Sequence, residues 1–160
     1  MEISKELNTA LSVAFNEAKK RSHEYLVPEH FVYAALFFEF GKNLVEICDG
    51  DEAALKADLK DFIDGDNIPK TKSQNPVQSL GFQNMMDNAV MHITSAEKKM
   101  LEIGDLFASL YSLPESFAVY FLEKQGITRL AILKFISDNR FDPDDGEVEE
   151  IDMSTRPDPD

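Results

Sequence analysis

The sequence has a single cysteine, Cys48, and few cations: 16 Lys and Arg stand against 30 Asp and Glu, a formal net charge of −14 over 160 residues. One thiol excludes an intramolecular disulfide and a cysteine-based zinc site, and it suits a reducing compartment, so a cytoplasmic location is expected. The deficit of Lys and Arg argues against a nucleic-acid-binding surface, because a phosphate backbone is held by clustered positive charge. No uncharged apolar run approaches the length of a membrane span, and the start, M-E-I-S-K-E-L, lacks the basic and apolar regions of an export signal. Neither G-x-x-x-x-G-K-[ST] nor G-x-G-x-x-G occurs, so the chain is not expected to bind or hydrolyse ATP by itself.

What is present supports a folded body. Hydrophobic residues make up 43% of the chain, enough for a proper core in one domain or two small ones sharing a core. Between Asp142 and Asp160, nine acidic residues against one arginine carry −8 of the net charge, leaving −6 for residues 1–141. The stretch 140–160 has too little apolar content to fold alone and reads as an acidic, solvated linker. An acidic body and tail favour a monomer.

The stretch His23 to Leu36, H-E-Y-L-V-P-E-H-F-V-Y-A-A-L, organises the rest. Pro28 favours a helix start because its missing N–H would have no partner in the first turn. Glu29 then falls in that turn, where the helix dipole favours a carboxylate. Phe31 to Phe38 carries no charge, so this short helix is expected to lie inside the protein. When the chain is laid over its own second half so that Leu7 falls on Phe82, the residues Leu11, Ala14, Ala18, Phe31 and Leu36 fall in turn on Met86, Ala89, Ile93, Leu106 and Tyr111. Apolar class is kept throughout without a gap. Two helical units of one plan are the economical explanation.

Along the chain, residues 3–21 form an amphipathic helix, and 22–27 a connector before the buried helix. Gly41 marks a break, residues 42–48 a short helix, and Asp51 the N-cap of a fourth helix. Residues 64–78, with two prolines and no periodicity, read as a loop joining repeat one (1–63) to repeat two (79–139). Ser79 caps a fifth helix, residues 98–102 repeat the connector, and residues 103–111 form a second buried helix. Pro114 with Glu115 opens the seventh, and Thr128 caps the eighth. The fold class is therefore all-α: eight helices in two sets of four, with no convincing strand.

The cluster His23, Glu24, Glu29 and His30 admits three readings. As zinc ligands, H-E-x-x-x-x-E-H does not match H-E-x-x-H and does not put both imidazoles on one helical face, so no metal site is expected beyond adventitious binding at His23 and His30. Alternatively, His30 satisfies backbone groups at the connector while Glu29 interacts with the helix start beside it. In the third reading, Glu24, Tyr25 and Glu29 form an exposed acidic and aromatic patch, where the ring supplies contact area and the carboxylates select a basic partner. His92, within the fifth helix, reads as a packing or partly exposed residue.

The stretches A-F-N-E-A-K-K-R-S-H-E-Y-L-V-P-E-H-F-V-Y-A-A-L (14–36), L-G-F-Q-N-M-M-D-N-A-V (80–90) and R-L-A-I-L-K-F-I-S (129–137) resemble the amino-terminal domain of the Clp unfoldases, closest to the ClpA branch, over residues 1–139. The resemblance implies a pseudo-twofold pair of four-helix repeats, tethered by a flexible linker to ATPase modules that form a hexameric ring and feed the ClpP peptidase. ATP would belong to those absent modules, no cofactor to this domain, and the chain is read as an excised domain ending inside the linker. The resemblance further implies a domain that receives protein substrates and docks a ClpS-type adaptor carrying N-degron proteins. Family docking positions map onto Glu24, Glu29 and Ser79, with His23 matching a connector histidine; Tyr25 lies among them. Val27-Pro28 departs from the family's threonine cap, and Gly104-Asp105 replaces Glu29-His30 in the second repeat, confining docking chemistry to the first. Two further roles are a free-standing regulatory protein of the same fold and direct capture of unfolded segments in an apolar groove between the repeats.

Overall fold

A computed structural model describes residues 2–72, 75–114 and 116–138; the acidic segment read as a linker lies outside them. Strand β1 (Glu2–Ile3) leads into α1 (Lys5–Lys20), which begins at Ser4, whose Oγ accepts a hydrogen bond from Leu7 N at 3.0 Å. Leu7, Ala10, Ala14 and Ala18 form its buried stripe. After β2 (Tyr25–Leu26) comes α2 (Pro28–Ala35), all eight residues of which are buried, as its lack of charge beyond the first turn requires. Then follow α3 (Glu39–Ile47) and α4 (Glu52–Asp64), the latter capped by Asp51 as expected.

The second set repeats this order: β3 (Val77–Gln78), α5 (Leu80–Ser95), β4 (Met100–Leu101), α6 (Ile103–Leu110), α7 (Phe117–Lys124) and α8 (Arg129–Asp138). From β1 to α2 every boundary recurs in β3 to α6 at the one offset that lays the N-cap Ser4 on the N-cap Ser79. The left-handed residues Ser22 (φ 60°) and Glu97 (φ 59°) match in the same way. Beyond that point the register slips: α3 begins at Glu39, and α7 begins at Phe117 where the same offset would start it at Pro114. The two buried helices α2 and α6 touch through Phe31 and Phe107, with ring centroids 5.4 Å apart, so the two repeats share one core.

Several expectations need correction. Among the described residues there are four two-residue strands, in parallel pairs that cross between repeats: β1 lies on β4 and β2 on β3. Strands this short show no alternation to read, since a period-2 signal needs at least four residues. The segment after α4 is accordingly more than a connecting loop, because it supplies β3 and bridges His23 through Lys70. Gly41 does not break the chain but sits inside α3, which starts at Glu39; a Cβ there would run into the Ala35 carbonyl, so the glycine permits close helix approach. Helix α7 is capped by Ser116, whose Oγ accepts from Val119 N at 3.3 Å, and does not begin at Pro114; Glu115 lies outside the described residues.

Candidate docking face

Three of the residues singled out above, Glu24, Tyr25 and Ser79, lie along the β2–β3 ladder, Glu24 toward one end and Ser79 toward the other. The Glu24 carbonyl accepts from Val77 N at 3.1 Å, the Leu26 carbonyl accepts from Ser79 N at 3.0 Å, and Glu24 N donates to the Pro69 carbonyl at 2.8 Å. Glu24 and Tyr25 are half-buried on this ladder. Ser79 is half-buried as well, and its Oγ is engaged as the α5 cap, accepting from Phe82 N at 3.0 Å. Next to them Val77, on β3, and Leu80, at the start of α5, are 55% and 72% exposed. A shallow groove of about 420 Å³ opens between α1 and α5, lined by Leu11, Phe15, Leu26, Phe82 and Met86 with the polar Ser12, Asn16 and Gln78.

Glu29 and His23 do not belong to an exposed patch. Glu29 is 6% exposed and points across the repeat boundary, where its Oε2 accepts from Ala118 N at 2.9 Å at the start of α7. The first turn of a helix has N–H groups without partners inside that helix, and here a carboxylate from the other repeat supplies one. Glu29 lies in the first turn of its own helix, as the sequence places it, and its carboxylate reaches a second helix as well. Burial raises its carboxyl above the usual carboxylate range, opposed by backbone hydrogen bonds that include Ala118.

His23 and His30 are both fully buried, with His23 Nδ1 2.9 Å from His30 Nε2. His30 Nδ1 accepts from Val27 N at 3.0 Å, so His30 does satisfy the connector backbone. Burial holds both imidazoles below the usual histidine value, His30 down to about 3, with Arg21 adding to the effect on each. His23 Nε2 makes no hydrogen bond of good geometry, although the Ile63 carbonyl acts on it in the opposing sense. Among the described residues no group of three or more His, Cys, Asp or Glu is placed to hold a metal ion. Exposed His92 lies on α5, away from this pair in sequence.

The groove residues and the exposed Val77 and Leu80 were not separately legible in the sequence. A signal was present in the internal repeat, whose offset carries Glu2-Ile3 before the cap Ser4 onto Val77-Gln78 before the cap Ser79. Among the described residues, no helix is long and apolar enough to cross a membrane.

Two short-helix repeats joined by reciprocal parallel ladders define the class as a helical double-repeat domain. The chain belongs to the Clp repeat (R) N-terminal domain family, whose model matches residues 2–125. It is 27% identical over 158 residues to a ClpA homolog protein of Fuscovulum blasticum, a match covering 96% of this chain and 20% of that one, so the chain spans about a fifth of its curated relative's length. Among solved structures it resembles the N-terminal domain (1–163) of the ClpV1 ATPase from E. coli, with TM-score 0.71 and 18% identity over 86% of this chain and 84% of that one. It also resembles a ClpV N-domain solved in complex with VipB peptide, with TM-score 0.68 and 16% identity over 85% of each chain. At these identities the structural likeness concerns the fold.

Proposed function

We propose that the chain is a non-enzymatic recruitment domain of a ClpA-like unfoldase that works with the ClpP peptidase in the cytoplasm, and that it docks a ClpS-type adaptor. The observation that carries this reading is the meeting of Glu24, Tyr25 and Ser79 on one ladder, beside exposed Val77 and Leu80. Aliphatic and aromatic groups supply contact area, and the Glu24 carboxylate favours a basic partner and speeds its encounter. Buried Glu29 and His23 would act beneath this face by holding its supports. A tethered domain of this kind raises the local concentration of substrate near an unfolding ring.

The groove between α1 and α5 favours a second reading, direct capture of a peptide or an unfolded segment. Five apolar side chains converge there, and a protein of similar fold has been solved with a peptide bound. The two readings can hold together.

Calorimetric titration with a ClpS-type adaptor, beside a Glu24→Ala/Tyr25→Ala variant, tests the first. One-to-one binding weakened at least about tenfold in the variant, or about 1.4 kcal/mol, is expected. No binding by either protein, both folded by circular dichroism, overturns adaptor docking. A labelled unfolded polypeptide that binds the wild type but not Leu11→Asp/Met86→Asp then supports the groove.

A further inference from the structure

The hydrogen bonds around His23 and His30 dictate which nitrogens carry protons. Val27 N–H donates to His30 Nδ1, so that nitrogen must present its lone pair and the proton of a neutral ring sits on Nε2. That Nε2–H then donates to His23 Nδ1, 2.9 Å away, which leaves the His23 proton on its own Nε2. A further proton has no place in this chain of donors. On His30 Nδ1 it would face the Val27 N–H, and on His23 Nδ1 it would face the His30 Nε2–H. Either addition sets two donors against each other inside a site where both rings are 0% exposed.

Among the described residues, the carboxylate that acts on the pair, Asp64, favours a charged His23 but is already engaged by other cations. The charged groups acting on the pair are Arg21, Lys70 and Asp64. Asp64 already holds Arg21 Nε at 2.6 Å and Lys60 at 2.7 Å, and Arg21 also holds Glu17 at 2.6 Å. The second repeat solves the same connector differently. At the equivalent positions, Lys98 Nζ and Glu102 N both donate to Asp105 Oδ2, at 2.6 and 2.8 Å. An ion pair satisfies both donors with no proton to place.

We infer that the His23–His30 pair is a proton-sensitive latch: it holds the first connector, which carries Glu24 and Tyr25, closed while both rings are neutral, and it opens on acidification while the second connector stays closed. For each imidazole that accepts its proton only in the open connector, with an ordinary value of about 6.5, opening is favoured about 25-fold more at pH 5 than at pH 7. The bearing of this on partner docking rests on the recruitment role proposed above. The latch itself is read without a partner, so its failure and the failure of the docking role are told apart.

Amide hydrogen exchange on the whole chain tests it, with two amides of each connector compared. Val27 N–H (to His30) and Ser79 N–H (to the Leu26 carbonyl) report the first. Glu102 N–H (to Asp105) and Ser4 N–H (to the Leu101 carbonyl) report the second. Between pH 7 and pH 5 protection factors at Val27 and Ser79 are expected to fall by about 25-fold or more, with those at Glu102 and Ser4 unchanged and the first pair's loss abolished in His23→Lys/His30→Asp. Should that variant not fold, ring 15N spectra of the wild type decide: above pH 5 His23 and His30 keep one proton each, on Nε2. Unchanged protection at Val27 and Ser79, equal loss at both connectors, or a pair ring protonated on both nitrogens at pH 7 overturns the latch.

Discussion

His30 and Asp105 hold the same post in the two repeats. Each accepts from the backbone N–H three residues earlier, Val27 at 3.0 Å and Glu102 at 2.8 Å, and each turns its remaining capacity to the residue seven earlier, His23 at 2.9 Å and Lys98 at 2.6 Å. Removing either side chain strands a helix-start N–H, but the surroundings differ. His30 is fully buried, so His30→Ala also leaves a cavity and an unpaired His23, at a cost of about 3–5 kcal/mol. Asp105 is 9% exposed, and Lys98 keeps Glu102 at 2.8 Å, so Asp105→Ala should cost about 1–3 kcal/mol. Urea unfolding of the two variants measures this order, and a reversed order would show that the ion pair dominates its connector.

Glu29 tests whether the joint between the repeats needs a charge or only an acceptor. Its Oε2 takes the Ala118 N–H, and a glutamine oxygen can do the same. Glu29→Gln is therefore expected to lie within about 1 kcal/mol of the wild type at pH 7, whereas Glu29→Ala strands the N–H and should lose about 1–3 kcal/mol. The pH dependence has a definite sign. A carboxyl whose folded value is raised contributes stability at acid pH that is lost as pH rises from the ordinary glutamate value, about 4.3, through the raised one. The lowered histidines act in the opposite sense: their contribution is complete above about 6.5 and is lost as pH falls, toward about 3 for His30. Stability measured against pH in Glu29→Gln should thus lose less on passing from pH 4 to pH 7 than the wild type does.

How legible these features were follows from their range in sequence. Caps at Asp51, Ser79 and Thr128 were readable because the acceptor and the N–H it serves lie three residues apart. The buried character of α2 was readable from an uncharged run, and the duplication from apolar class alone. Glu29 lies in the first turn of α2 as read, but its buried contact was missed because the partner, Ala118, is 89 residues away and belongs to a different helix. The ladders were missed because two residues carry no period. The family resemblance named Glu24 and Ser79 together, but only the crossed pairing of β2 with β3 explains why they lie along one ladder.

Two glycines should respond differently to alanine. A Cβ at Gly41 would overlap the backbone carbonyl of Ala35, which is fixed by the α2–α3 turn, so Gly41→Ala should cost about 3 kcal/mol or more, or prevent folding. At Gly104 the same atom would stand 2.9 Å from Ile136 Cδ1 and 3.0 Å from Phe40 Cζ, the far ends of side chains that can shift. Gly104→Ala should cost about 1–3 kcal/mol. Thermal unfolding ranks them, and equal costs would mean that α8 cannot yield at Ile136.

The left-handed corner after α1 and α5 offers a gain rather than a loss. Ser22 and Glu97 both sit near φ 60°, where a side chain is strained by roughly 1–2 kcal/mol and glycine is not. Glycine also gives the unfolded chain more freedom, returning about 0.4–1 kcal/mol of that relief. Glu97→Gly should therefore raise stability by about 0.5–1 kcal/mol in urea unfolding. Ser22→Gly should do the same at pH 7. Because it stabilises the closed first connector, it should also slow amide exchange at Val27, an effect that Glu97→Gly, on the other connector, should not have. Equal slowing by both variants would show that the two connectors open together.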